Sequence, residues 1–123
     1  MAAHEEVLKL IDDYFTGVYT GNTGLLQSLF DPHAQVFGEV NGLHHHKPIS
    51  VYLEGVAARK SPKELNEPFR MKTLGIDVMG DIASARLYSP MLGFEYCLYL
   101  TLAHREAGWQ IVNKTYAAPL LAI

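Results

Sequence analysis

The chain predicts an α+β fold in which three N-terminal helices cover one face of a curved antiparallel sheet. Apolar residues recur at spacings of three and four through the first twenty positions, the mark of an amphipathic helix. From about residue 69 onward they alternate instead, the mark of strands. The links between those strands are short and rich in Gly, Pro and Asp, so consecutive strands must pair antiparallel with no room for crossover helices. The stretch Phe94 to Tyr116, two alternating runs joined by a polar turn containing Gly108, is too apolar on both faces to be free surface.

Val7, Leu8, Ile11, Tyr14, Phe15, Val18 and Tyr19 place the first helix at Ala3 to Thr20. Gly21 suits the left-handed position that ends it, and Asn22 caps a short second helix over Thr23 to Phe30. Asp31-Pro32 stops that helix, because proline disfavours helical geometry at the residue before it. A strand follows over Ala34 to Val40, with Asn41-Gly42 as its hairpin turn. His44 to Lys47 form a short polar partner strand or loop, and Pro48 opens a third helix that runs to Ala58. Arg59 to Pro68 is the most polar segment, an exposed loop that the sequence leaves open as a lid. Strands are then expected at Phe69 to Met79, Ile82 to Ser89, Phe94 to His104 and Trp109 to Ala117, and the apolar tail Pro119 to Ile123 is expected to dock on the domain.

At 123 residues with 49% hydrophobic and 19% charged content, the chain reads as a single domain over 1–123 with enough apolar residues for a core. A formal charge of -3 and scattered Lys and Arg argue against a nucleic-acid partner. No apolar run approaches the roughly 18 to 20 residues needed to span a bilayer, so no membrane partner is expected. The start MAAHEEVLKL is acidic where a secretory signal carries positive charge, which together with one cysteine points to the cytoplasm. Cys97, unable to pair internally, reads as a small buried apolar residue.

The order helix, helix, strand, helix, four strands resembles the cystatin-like cone of the nuclear transport factor 2-like superfamily, which includes ketosteroid isomerases and SnoaL-like polyketide cyclases. The segment YFTGVYTGNTGLLQSLFDPHAQV resembles the opening of that superfamily, and GDIASARL and GWQIVNKTY resemble its later strands. The chain is most similar to the branch labelled "putative lumazine-binding", over nearly its whole length. In the isomerase branch a tyrosine near the end of the first helix polarises a carbonyl, and Tyr14 stands at the matching place. The catalytic aspartate of that branch falls on Gly38 here, and its partner acid falls near Tyr99 to Thr101, where there is no carboxylate. Glu39 would point to the other face of its strand unless a bulge shifts the parity. An isomerase of that type is therefore disfavoured.

His44, His45 and His46 invite a metal reading, but only His44 and His46 share a face and no third ligand is in register, so a solvated edge is the reading taken and no metal or cofactor is expected. His33 suits either an acid or base at the rim or a turn histidine bonded to local backbone, and the second is preferred. Tyr14 and His33 are the only catalytic candidates. Tyr14, Phe37, Tyr52, Tyr96 and Asn113 are the expected pocket lining, an aromatic set suited to a flat heterocycle. Asn113 shares parity with Trp109 and Ile111, so a buried amide is expected to face either a ligand or a neighbouring tyrosine. Asp77 is expected to face away from the helices, on the parity opposite Leu74, Ile76 and Val78.

The other sheet face, with Ser84, Arg86, Tyr88, Cys97, Tyr99, Thr101, Val112, Lys114 and Tyr116, has no helix left to cover it. Related folds dimerise through this face, and an isologous homodimer would bury it. The expected function is small-molecule binding in an interior pocket. Two alternatives stand beside it: a lyase or isomerase using Tyr14 with His33 or a rim carboxylate as base, and an interaction module with a vestigial pocket.

Overall fold

The computed structural model describes residues 2–118. Its elements are α1 (Ala3–Thr20), α2 (Thr23–Leu29), β1 (Phe30–Val40), β2 (Leu43–Pro48), α3 (Ile49–Ala58), β3 (Lys72–Met79), β4 (Ile82–Met91), β5 (Phe94–Arg105) and β6 (Gly108–Ala118). The tail expected to dock, Pro119 to Ile123, lies outside the described residues. Gly21 ends α1 with φ of 70°, and the Asn22 side chain accepts the backbone N–H of Leu25 to start α2. Asn41 and Gly42 have φ of 52° and 79°, the left-handed pair that a two-residue hairpin turn requires.

All six strands join one sheet in the order β2-β1-β6-β5-β4-β3. The last four form the expected antiparallel meander, whereas β1 lies parallel to β6 and so places the N-terminal hairpin beside the C-terminal strand. Val7, Ile11, Tyr14 and Val18 of α1 are buried with Ala85 and Leu87 of β4, Leu98, Leu100 and Leu102 of β5 and Ile111 of β6. Each of these Val, Leu and Ile side chains contributes about 1.5 to 3 kcal/mol of burial free energy, and this layer holds the helices against the sheet.

Four expectations are corrected here. β1 begins at Phe30 rather than Ala34, because Phe30 already pairs with Ile111 and the ladder absorbs Pro32 in an irregularity between Phe30 and Gln35. β3 begins at Lys72 rather than Phe69, and a bulge between Thr73 and Gly75 turns Leu74 outward, while Ile76 and Val78 stay on the helix side and Asp77 is exposed. The segment after α3 is not wholly exposed: Ser61 and Pro62 are buried, and Ser61 and Glu64 exchange side chain to backbone hydrogen bonds of 3.1 Å each. The same segment is tied to the domain by Tyr19, which donates to the Glu67 carbonyl at 2.6 Å, and by the Glu67 carboxylate, which accepts the Leu92 N–H at 2.9 Å. Finally, Cys97 is exposed on the outer face of β5 instead of buried.

Candidate functional site

β6 carries a bulge that decides the site. Thr101 pairs with Asn113 and Leu102 with Ile111, so Val112 is the extra residue and the alternation reverses after Ile111. Trp109 and Ile111 keep the parity expected of them, but beyond the bulge Lys114 and Tyr116 turn inward while Asn113 and Thr115 turn outward. Lys114, expected on the outer face, is 5% exposed. Asn113, expected inside, instead accepts a 3.0 Å hydrogen bond from the Thr115 hydroxyl on the outer face. Phe37 is likewise outward, stacked on His46 of β2 with ring centroids 4.3 Å apart and planes at 8°.

The interior cavity under the helices has a volume of about 50 Å³. Tyr14 reaches it from α1, Tyr52 from α3, Arg59 from the residue that follows α3, Ser89 and Met91 from β4, Tyr96 and Leu98 from β5, and Lys114 and Tyr116 from β6. Of the sequence-expected lining, the structure brings Tyr14, Tyr52 and Tyr96 together and leaves Phe37 and Asn113 out. His33 is exposed, its backbone N–H held by the Asp31 carboxylate at 2.6 Å, and it does not line the cavity. The cavity instead gains Lys114, Arg59, Ser89 and Tyr116, of which Lys114 and Tyr116 became legible only with the bulge.

Lys114 Nζ donates to the Tyr52 hydroxyl at 2.6 Å and lies 4.2 Å from the Tyr52 ring centroid, 5.4 Å from that of Tyr14 and 5.5 Å from that of Tyr116. An ammonium surrounded by aromatic faces gains cation–π attraction that partly replaces its lost hydration. Burial by itself favours the neutral amine, but the Tyr14 and Tyr52 oxygens outweigh it and keep Lys114 protonated. Burial pushes the Tyr14 phenol up to about 12 against the pull of Lys114. Burial acts the same way on Tyr52, but there the charge and hydrogen bond of Lys114 and the charge of Arg59 prevail and lower its pKa. One ammonium thus stands between a phenol held firmly protonated and a phenol made more acidic.

Gly38 backs the Tyr116 ring from β1. It pairs with Tyr116 across the parallel β1–β6 ladder, and a Cβ built on it would lie 2.5 Å from the Tyr116 hydroxyl oxygen and closer still to the ring. The place where the isomerase resemblance would put an aspartate is filled by the Tyr116 ring. Glu39, its neighbour, is exposed and pairs with His44 at 2.5 Å on the outer edge. His44 and His46 each hydrogen-bond one side chain, Glu39 and Gln35, and among the described residues no group of three His, Cys, Asp or Glu side chains is placed to hold a metal ion. Among the described residues no helix is long and apolar enough to cross a membrane.

Three helices closing a mostly antiparallel six-stranded sheet around an interior cavity define a nuclear transport factor 2-like domain with a cystatin-like fold. The chain belongs to the family described as "Putative lumazine-binding", whose sequence pattern matches residues 2–117. Among solved structures it is similar to an NTF2-like protein of unknown function from Silicibacter pomeroyi, at 20% identity and a TM-score of 0.83 over 94% of this chain and 98% of that one. A second NTF2-like protein of unknown function, from Shewanella baltica, gives 22% identity and a TM-score of 0.81 over 92% and 90% of the two chains. An NTF2-like protein with a cystatin-like fold from Novosphingobium aromaticivorans gives 19% identity and a TM-score of 0.70 over 94% and 80%. At these identities the likeness shows the fold. No curated protein sequence matches.

Proposed function

We propose that this chain binds a small aromatic or heterocyclic molecule at the interior cavity, with a polar end of the ligand inside. The observation that carries this reading is a set of buried polar atoms without protein partners: Arg59 Nη2 and Ser89 Oγ, both on residues that line the cavity, make no hydrogen bond. Leaving such a group unpaired costs about 1 to 3 kcal/mol, so a site that keeps two of them is built for something that pairs with them. The tyrosines around them supply flat apolar walls. A cavity of about 50 Å³ holds only a small group, since pockets that enclose whole ligands run to about 300 to 1,000 Å³. The ring of the ligand therefore lies outward, against the half-buried Tyr96 and Tyr116.

Native mass spectrometry of freshly purified protein tests the reading. An added mass that disappears on denaturation is expected. Repeated preparations of bare protein, with no thermal shift from a panel of heterocycles, would rule it out.

The exposed outer face supports the further proposal of a homodimer: Tyr99, Leu74 and Phe37 stand 57%, 48% and 37% exposed there.

A second reading, proton-transfer catalysis at the same site, is favoured by the opposed shifts of Tyr14 and Tyr52, the kind of separation that assigns one group as acid and another as base. It replaces His33, which lies elsewhere, with Tyr52 as the base. Its test is Tyr52-dependent solvent-deuterium exchange into a bound carbonyl compound, and exchange that persists unchanged in Tyr52→Phe eliminates it.

A further inference from the structure

We propose that the polar end of the ligand is a carboxylate, bound between Lys114 Nζ and Arg59 Nη2 with Ser89 Oγ as a third donor. The inference rests on the pocket reading above and assigns its chemical class.

The charge balance of the cavity points this way. Its lining holds two cations, Lys114 and Arg59, and no Asp or Glu. The ion pairs among the described residues are Lys9–Asp13, His44–Glu39, His104–Asp81 and Arg105–Asp31, and none includes either cavity cation. Lys114 has three N–H donors, and its one full hydrogen bond among the described residues goes to the Tyr52 hydroxyl, with the Tyr14 hydroxyl as its other polar neighbour. Ser89 is 3% exposed with its hydroxyl unpartnered, and Arg59 Nη2 is buried and unpartnered. A buried cation without a counter-ion is among the costlier arrangements a fold can carry, and an anion entering the cavity relieves it. A neutral ligand pairs with the same donors but leaves both charges uncompensated.

Size and shape select among anions. About 50 Å³ between tyrosine rings admits a planar group with two oxygens. A guanidinium and an ammonium also match two carboxylate oxygens well. Phosphate sites are commonly built on backbone N–H groups at helix starts or glycine-rich turns. No glycine lines this cavity, and Tyr52, its contribution from α3, is the fourth residue of that helix.

The test compares matched probes by calorimetry and thermal melting at fixed ionic strength: acetate with acetamide, benzoate with benzamide, and inorganic phosphate. Each carboxylate is expected to bind at least tenfold more tightly than its amide. Arg59→Gln is expected to weaken benzoate at least tenfold, and Lys114→Met, of similar bulk and checked for folding by circular dichroism, to remove saturable binding. Amides that bind as well as carboxylates overturn the carboxylate and leave the aromatic pocket standing. Benzoate no tighter than acetate supports the carboxylate and overturns the aromatic part of the pocket reading. Phosphate tighter than acetate overturns the planar anion, and no saturable binding of any probe overturns both readings.

Discussion

Lys114 and Tyr52 are joined by a buried 2.6 Å hydrogen bond that connects β6 to α3 in the lining of the cavity. Buried charges kept for stability are rare, because matched apolar replacements are often neutral or better by about 1 to 4 kcal/mol. The double variant Lys114→Met with Tyr52→Phe is therefore expected to be at least as stable as the natural chain in urea denaturation. A double variant weaker by about 3 kcal/mol or more would make the pair a structural element and not a binding one.

Alkaline titration reads the same cluster. The folded protein holds the Tyr14 proton up to about 12, while the unfolded chain releases it near 10.0. The folded state therefore binds more protons in that window, and this contribution to stability falls as pH rises from 10 to 12, by about 3 kcal/mol in all. Lys114, whose proton is also held more tightly in the fold, adds a loss of the same sign at high pH. Ultraviolet titration is expected to show one phenol that ionises well after the exposed ones, and Tyr14→Phe is expected to remove that late step.

Gly38→Ala tests the packing of Tyr116 against β1. The added methyl meets the Tyr116 ring, so either the ring moves or β1 separates from β6. Overpacking of this kind costs about 1 to 3 kcal/mol. The expected result is a lower denaturation midpoint with an altered near-ultraviolet dichroism from the Tyr96–Tyr116 pair, which packs edge to face at 5.7 Å. An unchanged midpoint would mean that Tyr116 does not lie against Gly38 in solution.

The fold was largely legible because period-two and period-3.6 patterns are averages over many residues, and one misplaced residue does not change them. α1 has the span its apolar spacing implied, and the Asn41-Gly42 turn stands where its dipeptide placed it. The site was legible only in part because it depends on single positions. A bulge has no reliable sequence mark, yet the one at Val112 exchanges Asn113 for Lys114 in the interior, and the one at Leu74 moves that side chain to the outside. The inward face of β1 includes Val36 and Gly38, which leaves Phe37 outward on the parity of Gln35 and Glu39, as the strand's own alternation implies. Arg59 lies at the start of a polar stretch, where composition suggests solvent, and only the end of α3 against the cavity shows otherwise.

The proposed dimer predicts a mass effect. Tyr99 is the most exposed aromatic of the central outer strands, and Tyr99→Glu places a charge in the middle of the face proposed to be shared. Sedimentation velocity is expected to show a dimer for the natural chain and a monomer for the variant. A natural chain that sediments as a monomer at every concentration would remove the dimer proposal and leave the cavity argument intact.

The most direct test of the central claim is a crystal structure of the protein with benzoate. The expected result is a carboxylate within hydrogen-bond distance of both Lys114 Nζ and Arg59 Nη2, with its ring against Tyr96 and Tyr116. Benzoate bound only outside the cavity, with Lys114 and Arg59 turned toward protein acceptors, would contradict it.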